Sequence, residues 1–513
     1  MHLKSVILLA ASLATPLAIA GAAPPRPNIV LIMADDMGFS DIGCYGGEIR
    51  TPNLDRLAAE GMRFTQFYNN AKCTTTRASL LTGLYARQTG GLLTSKMVTL
   101  GEALRLCGYQ TSLSGKWHLG SKAPNRPVDR GFDEYYGLMD GCCNFFNPSQ
   151  PDPPFKGGRV RTWGHNDKLI TEFPADFYST DAIADHAAKT IRRFSAAGKP
   201  FFAHVTFTAP HYPLHAKPQD IAKYAGKYSM GWEGLRRQRY ERQLGMGLID
   251  PKWPVAPRDS LALEWDAVAD QEWQASRMAV YAAMVDAMDQ GIGRILKALK
   301  ESGVEQNTLV MFLSDNGGCA EQLGHDKPGI TPGLKENYTT VGPSWAWAQN
   351  TPFRRFKAWV HEGGISTPLI AHWPGRIKPN SLNSQVGHII DFMPTFLELA
   401  GGKYPEKHNG AEILPVEGLS LVPVLEGRPR AGHAQLFWEW SGNRAMREGD
   451  WKLVWDDKAE KRWHLYELKG DRTETRNLAA DHPDRVKRMS EAWLAWAERT
   501  GTTVGRKKAK AAN

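Results

Sequence analysis

The sequence predicts a layered α/β protein, a sheet with helices on both faces, followed by a smaller C-terminal part of antiparallel strands and a helix. Three observations carry this reading. Compact apolar runs without polar alternation recur at residues 28–34, 201–208 and 308–314, the pattern of strands buried on both faces of a sheet. Between the second and third, Tyr281, Val285, Met288, Ile292, Ile295 and Leu299 follow one another at spacings of four and three, which is a helix stopped by Gly303. Past Gly401 this alternation fades into short segments at 451–455 and 464–468, which read as antiparallel strands, and a last helix over 483–499.

At the N-terminus, Lys4, an apolar stretch from Val6 to Ala20 and small residues around Ala18 and Ala20 have the layout of a secretory signal peptide. Residues 1–23 are assigned to it. The stretch is short for a membrane span and no second one follows, so the mature chain is expected outside the cytoplasm, periplasmic or extracellular, with no span. With 513 residues, 42% of them hydrophobic, the chain can bury a large core. Its formal charge of +9 contains no long basic run before Arg506, Lys507, Lys508 and Lys510, which read as a solvated terminus. Nucleic acid is therefore not an expected partner, and the excess charge suits attraction of anionic substrates. Two stretches, 144–164 and 325–351, read as long loops.

The three buried runs end in polar residues: Asp35-Asp36, Ala209-Pro210-His211 and Asp315-Asn316-Gly317-Gly318. In open α/β sheets ligands bind beyond the carboxyl ends of the strands. Paired acids after one strand are often helix caps, but two oxygen-rich strand ends far apart in sequence favour a hard cation, calcium ahead of magnesium. Cys73-Thr74-Thr75-Thr76-Arg77 leads into a helical stretch, so Cys73 and Arg77 stand at a helix N-terminus, where backbone N–H groups favour an anion. Taken singly, Arg77, Lys116, His118, His211 and Lys357 each have an ordinary reading as ion-paired, solvated or structural side chains.

Here the sequence resembles the type I, formylglycine-dependent sulfatases of the alkaline phosphatase superfamily. Cys73 to Arg77 is similar to the signature Cys-x-Pro-Ser-Arg, with Thr82-Gly83 downstream; Thr51-Pro52-Asn53-Leu54-Asp55, Gly115-Lys116-Trp117-His118, Ala209-Pro210-His211, Ser314 to Gly318 and Lys357 before Glu362-Gly363-Gly364 look like further landmarks in family order. The resemblance implies an alkaline phosphatase-like fold with a large mixed, mostly parallel sheet, a catalytic domain over 24–416 and a C-terminal α+β subdomain over 417–513. It implies that Cys73 becomes formylglycine through a formylglycine-generating enzyme, and that Asp35, Asp36, Asp315 and Asn316 bind Ca2+ with it. It implies hydrolysis of sulfate monoesters, aryl sulfates or sulfated carbohydrates: Arg77 and Lys116 hold formylglycine and sulfate oxygens, His211 with Lys357 protonates the leaving alcohol, and His118 is the later base. A phosphonate or phosphate diester hydrolase of the same superfamily is the alternative, and a non-catalytic binder of sulfated glycans a remoter one.

The chain departs from the family at Thr75, where proline, or sometimes alanine, is usual and limits the conformations of the extended segment that the maturing enzyme reads. If Cys73 is consumed, five of the six cysteines remain, and at most two disulfides are expected. His215, four residues after His211 but separated from it by Pro213, is expected to touch substrate rather than metal. Trp345 and Trp347 are given no site role.

Overall fold

The computed structural model describes residues 26–502 except 87, 89, 324, 325 and 458. The expected signal peptide, the basic tail and the opening residue of the second long loop lie outside the described residues. Strand β1 (Asn28–Ala34) sends Ile29, Leu31 and Met33 to one face and Val30, Ile32 and Ala34 to the other, and all six are fully buried. That two-sided burial is why the run shows no polar alternation.

Ten more strands complete its sheet: β2 (Met62–Tyr68), β3 (Gln110–Gly115), β4 (Glu134–Leu138), β5 (Trp163–His165), β6 (Lys168–Ile170), β7 (Phe201–Thr206), β8 (Thr308–Ser314), β9 (Ser366–His372), β10 (Ser381–Asn383) and β11 (Gly387–His388). Their order is β10-β2-β9-β8-β1-β7-β3-β4-β5-β6, with β11 beside β2. From β8 to β4 the pairs are parallel, whereas β9 runs antiparallel between β8 and β2, and β5 and β6 form an antiparallel edge. The predicted mixed, mostly parallel sheet is present. Helices Ser179–Ala196 and Gln271–Glu301 cover one face, and Cys73–Thr82, Leu100–Leu106 and Phe392–Leu399 the other.

The structure amends two sequence readings. β7 ends at Thr206, two residues before its apolar run does. The second long loop contains a helix, Pro343–Gln349, and Trp345 and Trp347 on it are buried, Trp345 meeting Trp232 edge to face at 5.3 Å. Both indoles are core. No helix among the described residues is long and apolar enough to cross a membrane, and all six cysteines are free thiols.

A two-residue ladder, β12 (Lys407–His408) with β13 (Ala411–Glu412), leads to an antiparallel meander of β14 (Leu436–Trp440), β15 (Asn443–Glu448), β16 (Trp451–Trp455) and β17 (Trp463–Glu467). Helix Pro483–Thr500 packs on it through Met489, Trp493 and Trp496. The same core takes in Tyr68, Ile365 and Ile390 from beside the large sheet. Polar groups join the two sheets as well. Glu362, just before β9, accepts from Lys452 at 2.8 Å and from Arg472 at 2.8 Å, and Lys452 also reaches Glu474 at 2.8 Å, all four fully buried.

Removing one partner of such a network strands the others as unpaired buried charges. Lys452→Ala is expected to lower the free energy of unfolding by about 3–5 kcal/mol in urea titrations. A loss below about 1 kcal/mol, the worth of an exposed pair, would contradict this account.

Candidate active site

The sheet topology assembles the site. Strands β8, β1, β7 and β3 are adjacent and parallel, so the residues following each emerge side by side at one edge. They are Asp315 and Asn316, Asp35 and Asp36, His211, and Lys116 and His118. β2 runs the same way, through antiparallel β9, and delivers Cys73 as the first residue of the Cys73–Thr82 helix; Lys357 lies in the segment that enters β9 from that edge. Every residue assigned to catalysis or to the metal from the sequence is in this one cluster, and each is buried or nearly so.

Charges are matched pairwise. Lys116 Nζ donates to Asp35 Oδ2 at 2.6 Å, and Lys357 Nζ to Asp36 Oδ2 at 2.6 Å. Arg77 donates through Nε and Nη2 to Asp315 Oδ2 at 3.1 and 2.8 Å, and through Nη1 to the Lys116 carbonyl at 2.7 Å. Cys73 Sγ stands 3.5 Å from His118 Nδ1. Burial pushes the Cys73 thiol up, against the pull of Lys116 and Lys357. Burial also pushes both His118 and His211 well below the ordinary histidine range, so both rings are neutral.

The tautomer of His211 follows from its partners. Nδ1 faces the Tyr212 carbonyl at 2.6 Å, and a carbonyl only accepts, so Nδ1 carries the proton. Nε2 is then an acceptor, and Lys357 Nζ lies 3.4 Å from it. The ammonium and the Nε2 lone pair thus meet at one edge of the ring.

Two site residues sit in the left-handed backbone region, Asp36 at φ 66° and His118 at φ 58°, a conformation held at a cost of order 1–3 kcal/mol. The Asp36 N–H is anchored to Asp315 Oδ1 at 3.1 Å. Gly141 passes so close to His118 that a Cβ there would lie 2.7 Å from the ring. Sequence reasoning missed Gly141, and missed Glu321 and Tyr212. Glu321 lies 3.3 Å from Lys357 and 3.1 Å from Lys72, and accepts at 2.5 Å from the Tyr212 hydroxyl. Tyr212 packs on the His211 ring at 4.3 Å. Only the adjacency of Tyr212 to His211 could have signalled any of these.

His215 is not a substrate contact. Its Nδ1 accepts from the Phe145 N–H at 3.3 Å, its Nε2 donates to the Asn337 carbonyl at 2.8 Å, and it is 1% exposed. With both nitrogens satisfied by backbone, it pins the first long loop to the second.

Asp35, Asp36, Asp315 and Asn316 fit a hard divalent cation. Asp35 Oδ1 and Asn316 Oδ1 are buried without a hydrogen-bond partner, which is costly for atoms that a cation would coordinate. Burial, with Asp315 and Asp36 adding and Lys116 opposing, pushes Asp35 up to about 8. These are signs of oxygens with coordination left open.

An alkaline phosphatase-like sheet with a cation-ready acidic cluster facing a cysteine at a helix start defines a hydrolase of anionic esters. The sulfatase family model matches residues 27–402, and that of the N-sulphoglucosamine sulphohydrolase C-terminal region matches 353–492. An uncharacterized sulfatase of Schizosaccharomyces pombe is 34% identical, over 93% of this chain and 95% of its own. The arylsulfatase of Klebsiella aerogenes is 34% identical, over 80% and 94%. Among solved structures, Ps i-CgsB in complex with k-i-k-neocarrahexaose matches with a TM-score of 0.69 and 26% identity, covering 93% of this chain and 94% of that one. The chain belongs to the sulfatase family and is a sulfatase enzyme.

Calcium added to the metal-stripped protein is expected to raise its melting temperature, because a cation that the folded cluster alone can hold favours the folded state. Asn316→Ala and Asp36→Asn should each shrink that shift, measured by scanning calorimetry. An undiminished shift in both variants would move the cation elsewhere.

Proposed function

We propose that this exported sulfatase hydrolyses sulfate monoesters of carbohydrates or phenols, with Cys73 converted to formylglycine and Ca2+ held by Asp35, Asp36, Asp315 and Asn316. The observation that carries this reading is the cationic shell around a buried thiol: Lys116, Arg77 and Lys357 all belong to the pairs that enclose Cys73, and sulfate requires such a shell. A thiol whose pKa is pushed up by burial is a poor nucleophile at neutral pH, which favours the converted residue over the plain cysteine. Calcium and the hydrated aldehyde would supply the activated attacking oxygen.

The remaining work falls to side chains of the chain itself. Arg77 and Lys116, the buried cations paired with Asp315 and Asp35, take the role of holding sulfate and nucleophile oxygens. Lys357 and His211 deliver a proton to the departing alcohol, and His118, next to Cys73, accepts one when sulfate is expelled. The carbohydrate reading draws support from Ps i-CgsB, whose structure holds a neocarrahexaose. Maturation by a formylglycine-generating enzyme and export through residues 1–23 belong to the same proposal.

Mass spectrometry of the peptide containing Cys73, from the native host, tests it. Formylglycine is expected; an unmodified thiol would remove the mechanism and favour the glycan-binder alternative. Higher turnover of phosphate diesters than of sulfate esters, over a defined panel, would favour the diesterase. His211→Ala is expected to lower kcat by roughly 10²–10⁴. The loss should be greater for an alkyl sulfate than for an aryl sulfate with an acidic phenol, and equal losses would assign His211 another role.

A further inference from the structure

A second cluster, sharing no residue with the strand-end site, lies where the sheet passes into its antiparallel edge. Glu134 opens β4, and two residues on, Tyr136 pairs with Ser114 of β3 on one side and with His165 of β5 on the other. Strand periodicity turns Glu134, Tyr136, Ser114 and His165 to one face, the face covered by helix Ser179–Ala196. That helix contributes His186. Both imidazoles aim the same nitrogen at one carboxylate oxygen: His165 Nε2 lies 2.8 Å and His186 Nε2 3.3 Å from Glu134 Oε1.

The surroundings fix these groups as the outer partners of a metal centre do. Ser114 Oγ lies 2.8 Å from His186 Nδ1, and the Tyr136 ring stacks on His186 at 5.0 Å. Arg193 occupies the other carboxylate oxygen, Glu134 Oε2, at 2.6 Å, which leaves Oε1 for the shared position. A hydroxyl can both donate and accept, so Ser114 can turn from donor to acceptor when Nδ1 takes the proton and Nε2 is freed. The Ser114 bond survives the change of tautomer, and the Nε2–H bond to Glu134 gives way to the ion. Glu134 and His186 are mostly buried while the His165 side chain is half exposed, so a small ion has an open approach.

We propose that Glu134, His165 and His186 form a binding site for a divalent cation of the zinc class. The three ligand atoms lie within 4.8 Å of one another, and two imidazoles with one carboxylate suit zinc rather than calcium, which takes oxygen. Its effect would be to fasten β5 to the Ser179–Ala196 helix, and the fourth position would be left to water.

Isothermal titration of the calcium-loaded full chain with zinc chloride is the test, with Co2+ as the spectroscopic probe. One zinc event, with tetrahedral Co2+ bands, is expected in the unaltered chain and absent in His165→Ala and His186→Ala. Ser114→Ala, which removes only the outer partner, should weaken zinc roughly tenfold or more. Zinc should raise the melting temperature of the unaltered chain and leave that of His165→Ala unmoved. Substitution at the half-exposed His165 disturbs little packing, so an unchanged melting temperature without zinc certifies that this variant is folded. Zinc binding of unchanged affinity and stoichiometry in both histidine variants, or no zinc event at all, would overturn the proposal.

Discussion

Three carboxylates cannot share a water-free space without help, and the architecture of this enzyme follows from how that help is supplied. Asp35, Asp36 and Asp315 are each fully buried, and each is met by its own cation, Lys116, Lys357 and Arg77. Desolvation of so many ions is tolerated only with close pairing. The pairs span β1, β3, β8, the helix after β2 and the segment before β9, so the strand order itself is a condition of charge balance.

This arrangement also sets the protonation states available for chemistry. The same cations that balance the acids help keep the histidines neutral: Lys116 and Arg77 act on His118, and Lys357 on His211, while burial does most of the work. His211 therefore presents a neutral ring beside the Lys357 ammonium.

Much of this was legible in the sequence, for a physical reason. Strands buried on both faces appear as unbroken apolar runs, so β1 and β8 were delimited to the residue, and polar groups at their carboxyl ends stand out against such runs. Features made by distant backbone were not legible. His215 looks like a functional neighbour of His211 until the carbonyl of Asn337 and the N–H of Phe145 arrive from two loops to claim both its nitrogens. Nothing in the sequence of its short strand sets Lys452 apart, and only Glu362 and Glu474 give it a reason to be buried. The helix over Pro343–Gln349 is too short for periodicity to register, although proline at its first position is a recognised start signal.

The Glu362 junction bears on how such enzymes can diversify. Glu362 closes the segment that carries Lys357 and is held from below by Lys452 and Arg472 of the C-terminal part. The small sheet is thus a foundation for one wall of the pocket rather than an accessory on it. Recombination that exchanged this portion between relatives would succeed only if the acidic residue and its two basic partners were inherited as a set, so lineages should drift apart by altering loops while transmitting the seam intact.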